Sequence, residues 1–143
     1  MVYSDIRKIL GGQKVIHKPI TSQMDLIKLS RQGISRRALS NLEQCLRLST
    51  RQLAELLPIT ERTIQRHSPD QTFSPAVSEH ILRISAVVAQ GIETFGDRER
   101  FLSWMNQPNP ALANESPMNL ISSSFGIDMV VDELGRMEHG ILS

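Results

Sequence analysis

The sequence predicts an all-α fold, and three observations lead to this prediction. Apolar residues recur at intervals of three and four over long stretches, which is the period of a helix with one buried face. Serine, threonine or aspartate, which favour helix N-caps, stand before most of these stretches. No stretch is interpreted as a strand, because none shows a sustained alternation of apolar and polar residues.

The beginning of the chain is predicted to contain an arm and two helices. Residues 1–20 carry two adjacent glycines, a short β-prone patch and a proline, and we interpret them as an arm with no definite element. A helix is expected between Ser22 and Gly33, on the apolar pattern Met24, Ile27 and Leu29. Ser35 caps the next helix, whose stripe of expected core residues contains Leu39, Leu42, Cys45 and Leu46.

Residues 50–67 have the pattern of a helix-turn-helix. Ser49 and Gln52 match a capping box at the start of the first helix, and Thr60 caps the second. Ala54 is small enough for a close helix crossing, and a shared small core is expected from Leu53, Leu57, Ile59 and Ile64. Pro58 stands in the turn where glycine is often found. Since proline cannot adopt a positive φ, the turn is expected to differ locally.

The second half is predicted to contain one long helix and three shorter ones. Ser74-Pro75 begins the long helix, which ends near Gly96 and carries the stripe Val77, Ile81, Ile84, Val88 and Ile92. Asp97 caps a shorter helix, and Ser116-Pro117 opens a brief one. Gly126 is expected to break that segment. Asp128 is expected to cap the final helix, with Val130, Leu134, Met137 and Ile141 along one face.

Charge is distributed unevenly along the chain. The formal net charge is only +1, but residues 1–67 hold 12 Lys/Arg against 5 Asp/Glu, while residues 68–143 hold 4 against 10. This asymmetry suggests a polyanionic partner for the first half and a basic protein surface for the second; chance clustering on solvated faces is the alternative. The single cysteine excludes an internal disulfide, and no apolar run is long enough for a membrane helix, so a cytoplasmic location is expected.

The second helix of the helix-turn-helix carries side chains suited to DNA. If it enters a major groove, the residues able to reach bases and phosphates are Thr60, Arg62, Thr63, Gln65 and Arg66. Arg51, Arg36 and Arg37 are candidates for further backbone contacts. One such unit binds DNA weakly, so a homodimer on paired operator half-sites is expected. The alternative is a tight helical hairpin whose arginines face water.

A series of short motifs runs through the chain from the helix-turn-helix onward. In the first part these are Glu61-Arg62-Thr63-Ile64-Gln65-Arg66, Ser78, Arg83-Ile84 and Phe95-Gly96. In the second part they are Trp104-Met105, Pro108-Asn109-Pro110-Ala111-Leu112, Ser116-Pro117-Met118-Asn119-Leu120 and Leu134-Gly135-Arg136-Met137-Glu138-His139-Gly140. From Leu48 to the C-terminus the chain thereby resembles the Xre/MbcA/ParS antitoxin family. Ala113-Asn114 departs from the glycine common there, but asparagine tolerates the left-handed conformation, so the turn is expected to persist.

The resemblance implies an antitoxin that holds a RES-domain or related ADP-ribosyltransferase-like toxin inactive. It implies that the C-terminal segment blocks the entrance to the toxin's active site, through Arg136, Glu138, His139, Gly140, Ile141, Leu142 and Ser143. It also implies a dimer that represses its own operon. The expected organisation is an arm (residues 1–20), a helix-turn-helix DNA-binding domain (21–73), and a long connecting helix with a toxin-binding domain (74–143).

Two alternative functions belong to other classes of protein. A stand-alone helix-turn-helix transcriptional repressor, whose second half dimerises or senses a small molecule, is the alternative. An enzyme is not expected, because Cys45 lies on an apolar stripe and the histidines His17, His67, His80 and His139 fall in different elements. No Gly-rich phosphate loop or paired metal-ligand spacing occurs, so neither a cofactor nor a metal is expected.

Overall fold

The computed structural model describes residues 2–140, and all secondary structure in this range is helical apart from isolated bridges. The helices are α1 Val2–Ile9, α2 Gln23–Gln32, α3 Arg36–Leu46, α4 Thr50–Ala54, α5 Glu61–Arg66, α6 Pro75–Phe95, α7 Arg98–Met105, α8 Pro117–Leu120 and α9 Ser124–Gly140. Short 3-10 helices occupy Gly12–Lys14 and Pro110–Leu112. The all-α prediction is confirmed. Ile141, Leu142 and Ser143, which were predicted to belong to the C-terminal blocking segment, lie outside the described residues.

The chain forms two compact units, residues 1–86 and 87–143, and α6 runs from one into the other. The first unit is built around apolar side chains from α1, α3, α4, α5 and the first half of α6, including Ile6, Leu39, Leu42, Leu53, Ile64 and Ile81. The second is built around Phe101, Met105, Leu112, Ile121, Ile127, Val130 and Leu134. Each unit therefore has its own core.

The interpretation of residues 1–20 as an arm with no definite element is wrong. Helix α1 covers most of the first half of this segment and packs on α3, with Ile6 and Leu10 completely buried. Asn41 of α3 donates from Nδ2 to the carbonyl oxygen of Leu10 at 3.0 Å. The short polar segment was underestimated because its helix depends on a tertiary partner, and isolated helices of this length are marginal in water.

The predicted helix starts in the first unit agree with the structure. Ser22 and Ser35 accept hydrogen bonds from the amides of Asp25 and Ala38, and the Ser49 and Gln52 capping box has both of its bonds. One prediction of burial needs correction, because Cys45, expected in the core, is only half-buried. Met24 and Ile27, whose spacing predicted α2, are 53% and 41% exposed.

The start of α9 differs from the prediction. The hydroxyl oxygen of Ser123 accepts from the amide of Phe125 at 3.2 Å, so the helix begins at Ser124 and Asp128 lies inside it. Gly126 was expected to break the helical segment, but it is buried in the first turn of α9. A Cβ built at Gly126 would lie 1.8 Å from the carbonyl oxygen of Leu120, so the glycine serves close packing of α8 against α9.

Ser78 supplies a buried polar link in the first unit. Its hydroxyl accepts from the amide of Ile34 at 2.8 Å and donates to the carbonyl oxygen of Phe73 at 3.3 Å, and the residue has no exposed surface. Ile34 and Phe73 also share a backbone hydrogen bond of 2.9 Å. The serine therefore ties the start of α6 to the junction between α2 and α3.

We expect Ser78→Ala to lower the free energy of unfolding by about 1–3 kcal/mol, because it leaves the buried amide of Ile34 without an acceptor. Denaturant unfolding followed by circular dichroism measures this. The matched control is Ser85→Ala, since Ser85 is equally buried but only bonds back to Ile81 within α6. The control should be neutral or slightly stabilising; equal losses in the two variants would contradict this role of Ser78.

Candidate functional site

Helices α4 and α5 pack together as a helix-turn-helix. Leu53, Leu57 and Ile64 are buried, as predicted, and Ala54 is 9% exposed, whereas Ile59 is only half-buried. The turn contains no residue with a positive φ. It continues α4 through bonds from the amide of Leu56 to the oxygen of Leu53 and from Leu57 to Ala54, so the local difference expected at the proline is confirmed.

The outer surface of this motif presents all of the candidate DNA-contacting residues. Each of the six is exposed: Arg51, Thr60, Arg62, Thr63, Gln65 and Arg66. Arg62 and Arg66 are four residues apart and so share a face of α5. Within residues 2–140 none of the three arginines has an ion-pair partner. Their guanidinium groups are therefore free to meet an anion.

Thr60 and Thr63 also stabilise the start of α5. The Thr60 side chain accepts from the amide of Thr63 at 3.2 Å, which is the predicted N-cap of α5. The two hydroxyl groups are also hydrogen-bonded to each other, at 2.8 Å. This pair orients the first turn of α5 and keeps its hydroxyls at the surface.

Arg36 and Arg37, which were candidates for further backbone contacts, differ in their surroundings. Arg36 is drawn into the first unit, with 18% of its side chain exposed, a hydrogen bond to Ser40 and an ion pair to Glu43 at 3.4 Å. Arg37 remains half exposed and meets Asp70 at 3.4 Å on the surface. Surface ion pairs of this kind are weak, so a phosphate can compete with Asp70 for Arg37. Of these two arginines, Arg37 is therefore the one available to DNA.

At the end of α9 the structure describes four of the seven candidate toxin-contacting residues. Arg136, Glu138, His139 and Gly140 are all exposed. The guanidinium of Arg136 bonds to the carboxylate of Glu133, with Nε 3.0 Å from Oε2. Glu138 accepts from the Thr94 hydroxyl at 2.5 Å. The two charged side chains are thus held against their own unit.

Sequence reasoning missed an exposed apolar pair at the other end of α9. Phe125 is 82% exposed and Met129 41% exposed, and they lie one turn apart on the same face. Asp128 and Asp132 are exposed on the same side of the helix. The spacing of four between Phe125 and Met129 is typical of a shared helix face. The predicted helix began only at Asp128, so Phe125 was placed outside it.

An aromatic cluster supports the second unit. The ring centroids of Phe95 and Trp104 are 5.6 Å apart, and those of Phe101 and Trp104 are 6.5 Å apart. Trp104 is half-buried, and Phe101 is completely buried. Trp104 thus packs with two other aromatic rings of the second unit. At the predicted turn, Ala113 and Asn114 both adopt the left-handed conformation, with φ of 57° and 63°.

Among the described residues, no group of three or more histidine, cysteine or carboxylate side chains is placed to hold a metal ion. In the same part of the chain, no helix has both the length and the apolar character needed to cross a membrane.

Two domain models of known families match the chain, one after the other. The Antitoxin Xre-like helix-turn-helix domain matches residues 25–85. The Antitoxin Xre/MbcA/ParS C-terminal toxin-binding domain matches residues 90–140. The chain belongs to the Xre/MbcA/ParS antitoxin family. The segment before residue 25, which contains α1, lies outside both matches.

Curated members of the antitoxin family are similar over part of the chain. An Antitoxin Xre of Yersinia enterocolitica is 35% identical over 80 residues, covering 55% of this chain and 54% of that protein. An Antitoxin Xre of Photorhabdus laumondii is 30% identical over 80 residues, with the same coverage. The chain thus spans about half the length of the curated relatives it matches.

A solved structure has the same fold. It is a chain in the crystal structure of the M. tuberculosis MbcT-MbcA toxin-antitoxin complex, with a TM-score of 0.53 and 18% sequence identity. The similarity covers 72% of this chain and 92% of that one. At this identity the likeness supports the antitoxin-family fold alone.

Proposed function

We propose that this chain is a non-enzymatic antitoxin that neutralises a toxin and represses its own operon. The observation that carries the proposal is the succession of a matched helix-turn-helix domain and a matched toxin-binding domain in one chain. In this proposal residues 21–73 contact DNA, and residues 74–143 supply the long helix and the toxin-binding surface.

The DNA-binding part of the proposal rests on α5. The side chains of Arg62, Gln65 and Arg66 are exposed on a short helix whose start is capped and whose inner residue, Ile64, is buried. Arginine reads guanine and glutamine reads adenine through paired hydrogen bonds in the major groove. One such helix covers only a few base pairs, so the species that binds the operator is a homodimer, with one half-site for each subunit.

The toxin-binding part of the proposal rests on α9 and the residues that follow it. The toxin is of the RES type, consuming NAD or transferring ADP-ribose, and the antitoxin's C-terminal segment blocks the entrance to its active site. Supporting this, the second domain matches a family of toxin-binding domains, and the chain in the MbcT-MbcA complex shares the fold. Arg136 and Glu138 are exposed, and in the proposal they exchange their present partners, Glu133 and Thr94, for groups in a nucleotide pocket.

The other exposed face of α9 suits a supporting contact. Phe125 and Met129 form an apolar centre flanked by the carboxylates of Asp128 and Asp132. Residues 87–143 carry eight acidic and three basic side chains, so a basic surface around an apolar pocket is the complementary partner. In the proposal this face docks on the body of the toxin, beside the blocked entrance.

Deleting residues 138–143 is expected to abolish neutralisation. If this segment contains the binding hot spot, its loss weakens toxin binding by about 2 kcal/mol or more, which raises the Kd by roughly 30-fold. The measurement combines growth rescue and co-purification with the neighbouring gene product, together with NAD consumption by that product. Binding of operator DNA should be unchanged.

A truncated chain that still rescues growth would show that the blocking segment has been assigned wrongly. Growth arrest without loss of NAD and without ADP-ribosylated targets would overturn the assigned class of toxin. If the neighbouring gene product neither arrests growth nor co-purifies, the chain acts as the stand-alone repressor instead.

A further inference from the structure

A basic groove lies in the first unit, and none of the recognition residues of α5 lines it. It has a volume of about 590 Å³ and is bounded by residues 14–20, by α2 and by the loop that contains Asp70 and Thr72. Its cationic lining consists of Lys14, Lys18, Lys28 and Arg37. Two of these cations, Lys14 and Lys18, lie in the N-terminal segment outside the matched family domains, and the other two lie inside the helix-turn-helix match.

The segment that carries Lys14 and Lys18 is firmly held. Arg7 of α1 donates from Nε to the carbonyl oxygen of Ile16 at 2.8 Å and from Nη2 to that of His17 at 2.9 Å. The Ile16 side chain is 6% exposed. Two lysines are therefore presented on an anchored backbone, and little chain entropy is lost when they bind an anion.

The groove keeps a positive balance after its own carboxylates are counted. Asp70 is paired with Arg37, and the Asp25 carboxylate accepts from the amide and hydroxyl of Thr21, both at 2.9 Å. These hydrogen bonds, with Lys28 nearby, lower the pKa of Asp25, so it is ionised at neutral pH. In the described part of the chain, Lys14 and Lys18 have no ion-pair partner.

The groove is connected to the DNA-reading surface. A second cleft is lined by Arg37, Ser40 and Asn41 of α3 together with Gln65 of α5 and His67. Arg37 lines both depressions. A path of polar and basic side chains therefore leads from Gln65, past Arg37, to Lys18 and Lys28.

We propose that this groove binds the phosphate backbone of the operator, next to the base pairs that α5 reads. Lys14 and Lys18 are the principal contacts, and Lys28 completes the opposite wall. The inference rests on the proposed DNA-binding function and adds to it a second, sequence-independent contact supplied by residues 1–20. Contacts of this type set the position and salt dependence of binding but not its sequence preference.

The test is the salt dependence of DNA binding by the full chain carrying Lys14→Gln and Lys18→Gln. Each lost phosphate contact reduces the slope of log K against log salt by about 0.9, so the double variant should lose about 1.8. Affinity at moderate salt should fall roughly tenfold, by the same factor on the operator and on an unrelated duplex. The matched control is Lys8→Gln with Arg31→Gln, which removes the same charge from exposed positions outside the groove.

The possible outcomes are distinct. An unchanged slope, an equal effect in the control, or a loss confined to the operator would overturn the groove contact while leaving the reading role of α5 intact. If the wild-type chain binds no duplex at all, the proposed DNA-binding function fails, and the groove contact fails with it. Titration with inorganic pyrophosphate tests the other source of phosphate: saturation at micromolar concentration that needs Lys14 and Lys18, with an unchanged DNA slope, would show a small-molecule site instead.

Discussion

Gly126→Ala is expected to destabilise the C-terminal unit by about 3 kcal/mol or more. The new Cβ would stand 1.8 Å from the carbonyl oxygen of Leu120 and 2.6 Å from its carbonyl carbon. Both are backbone atoms, so no side-chain rotation relieves the clash, and α8 and α9 must separate. Such a shift also uncovers Ile121 and Ile127, which are now fully or almost fully buried.

Gly135→Ala is the matched control for this prediction. It lies in the same helix, and a Cβ there would meet nothing within 4 Å. The substitution is expected to stabilise the helix by up to about 1 kcal/mol, because alanine loses less backbone freedom on folding. Thermal and denaturant unfolding of both full-length variants measures the difference. Similar unfolding temperatures for the two would contradict the role assigned to Gly126.

Replacing Arg62 and Arg66 together by alanine is expected to remove specific operator binding. A well-formed paired contact from one arginine to guanine is worth about 1–3 kcal/mol, so losing two weakens binding by roughly 30-fold or more. The loss should be much larger on the operator than on unrelated DNA, in contrast to the variants of the basic groove. Fluorescence anisotropy with the DNA upstream of the gene measures both affinities.

The control for the arginine pair removes the same charge elsewhere. Arg98 and Arg100 are exposed on α7, and Arg98 forms an ion pair with the adjacent Glu99 at 3.8 Å. Their double alanine variant should bind the operator as the wild type does, and the Arg62 and Arg66 variant should still neutralise the toxin. Loss of both activities in the α5 variant would mean that the two functions are not divided between the two domains as proposed.

Much of the fold was predictable from local chemistry. Caps such as Ser35, Ser49 and Thr60 act within three residues, so their hydrogen bonds are encoded where the sequence shows them. The stripe of α6 was also predictable, because Val77, Ile81 and Ile84 repeat with the helical period and are all buried.

The candidate site was only partly predictable. Exposure of Arg62, Gln65 and Arg66 follows from the position of Ile64, which must face inward, and the structure agrees with it. The pairing of Arg36 with Glu43 was not predicted. Opposite charges seven residues apart are close only when the side chains extend along the helix, and sequence spacing does not determine the rotamers.

By itself, the sequence determined the helical class, the caps of most helices, the helix-turn-helix and the family. These features depend on contacts over one or two turns, or on motifs that are read directly. Only the tertiary structure decided that residues 2–9 form a helix, that Gly126 is a packing residue inside α9, and that Lys14 and Lys18 border a groove. Each of these depends on a partner distant in sequence or on an approach of two backbones, and neither leaves a periodic signal in the chain.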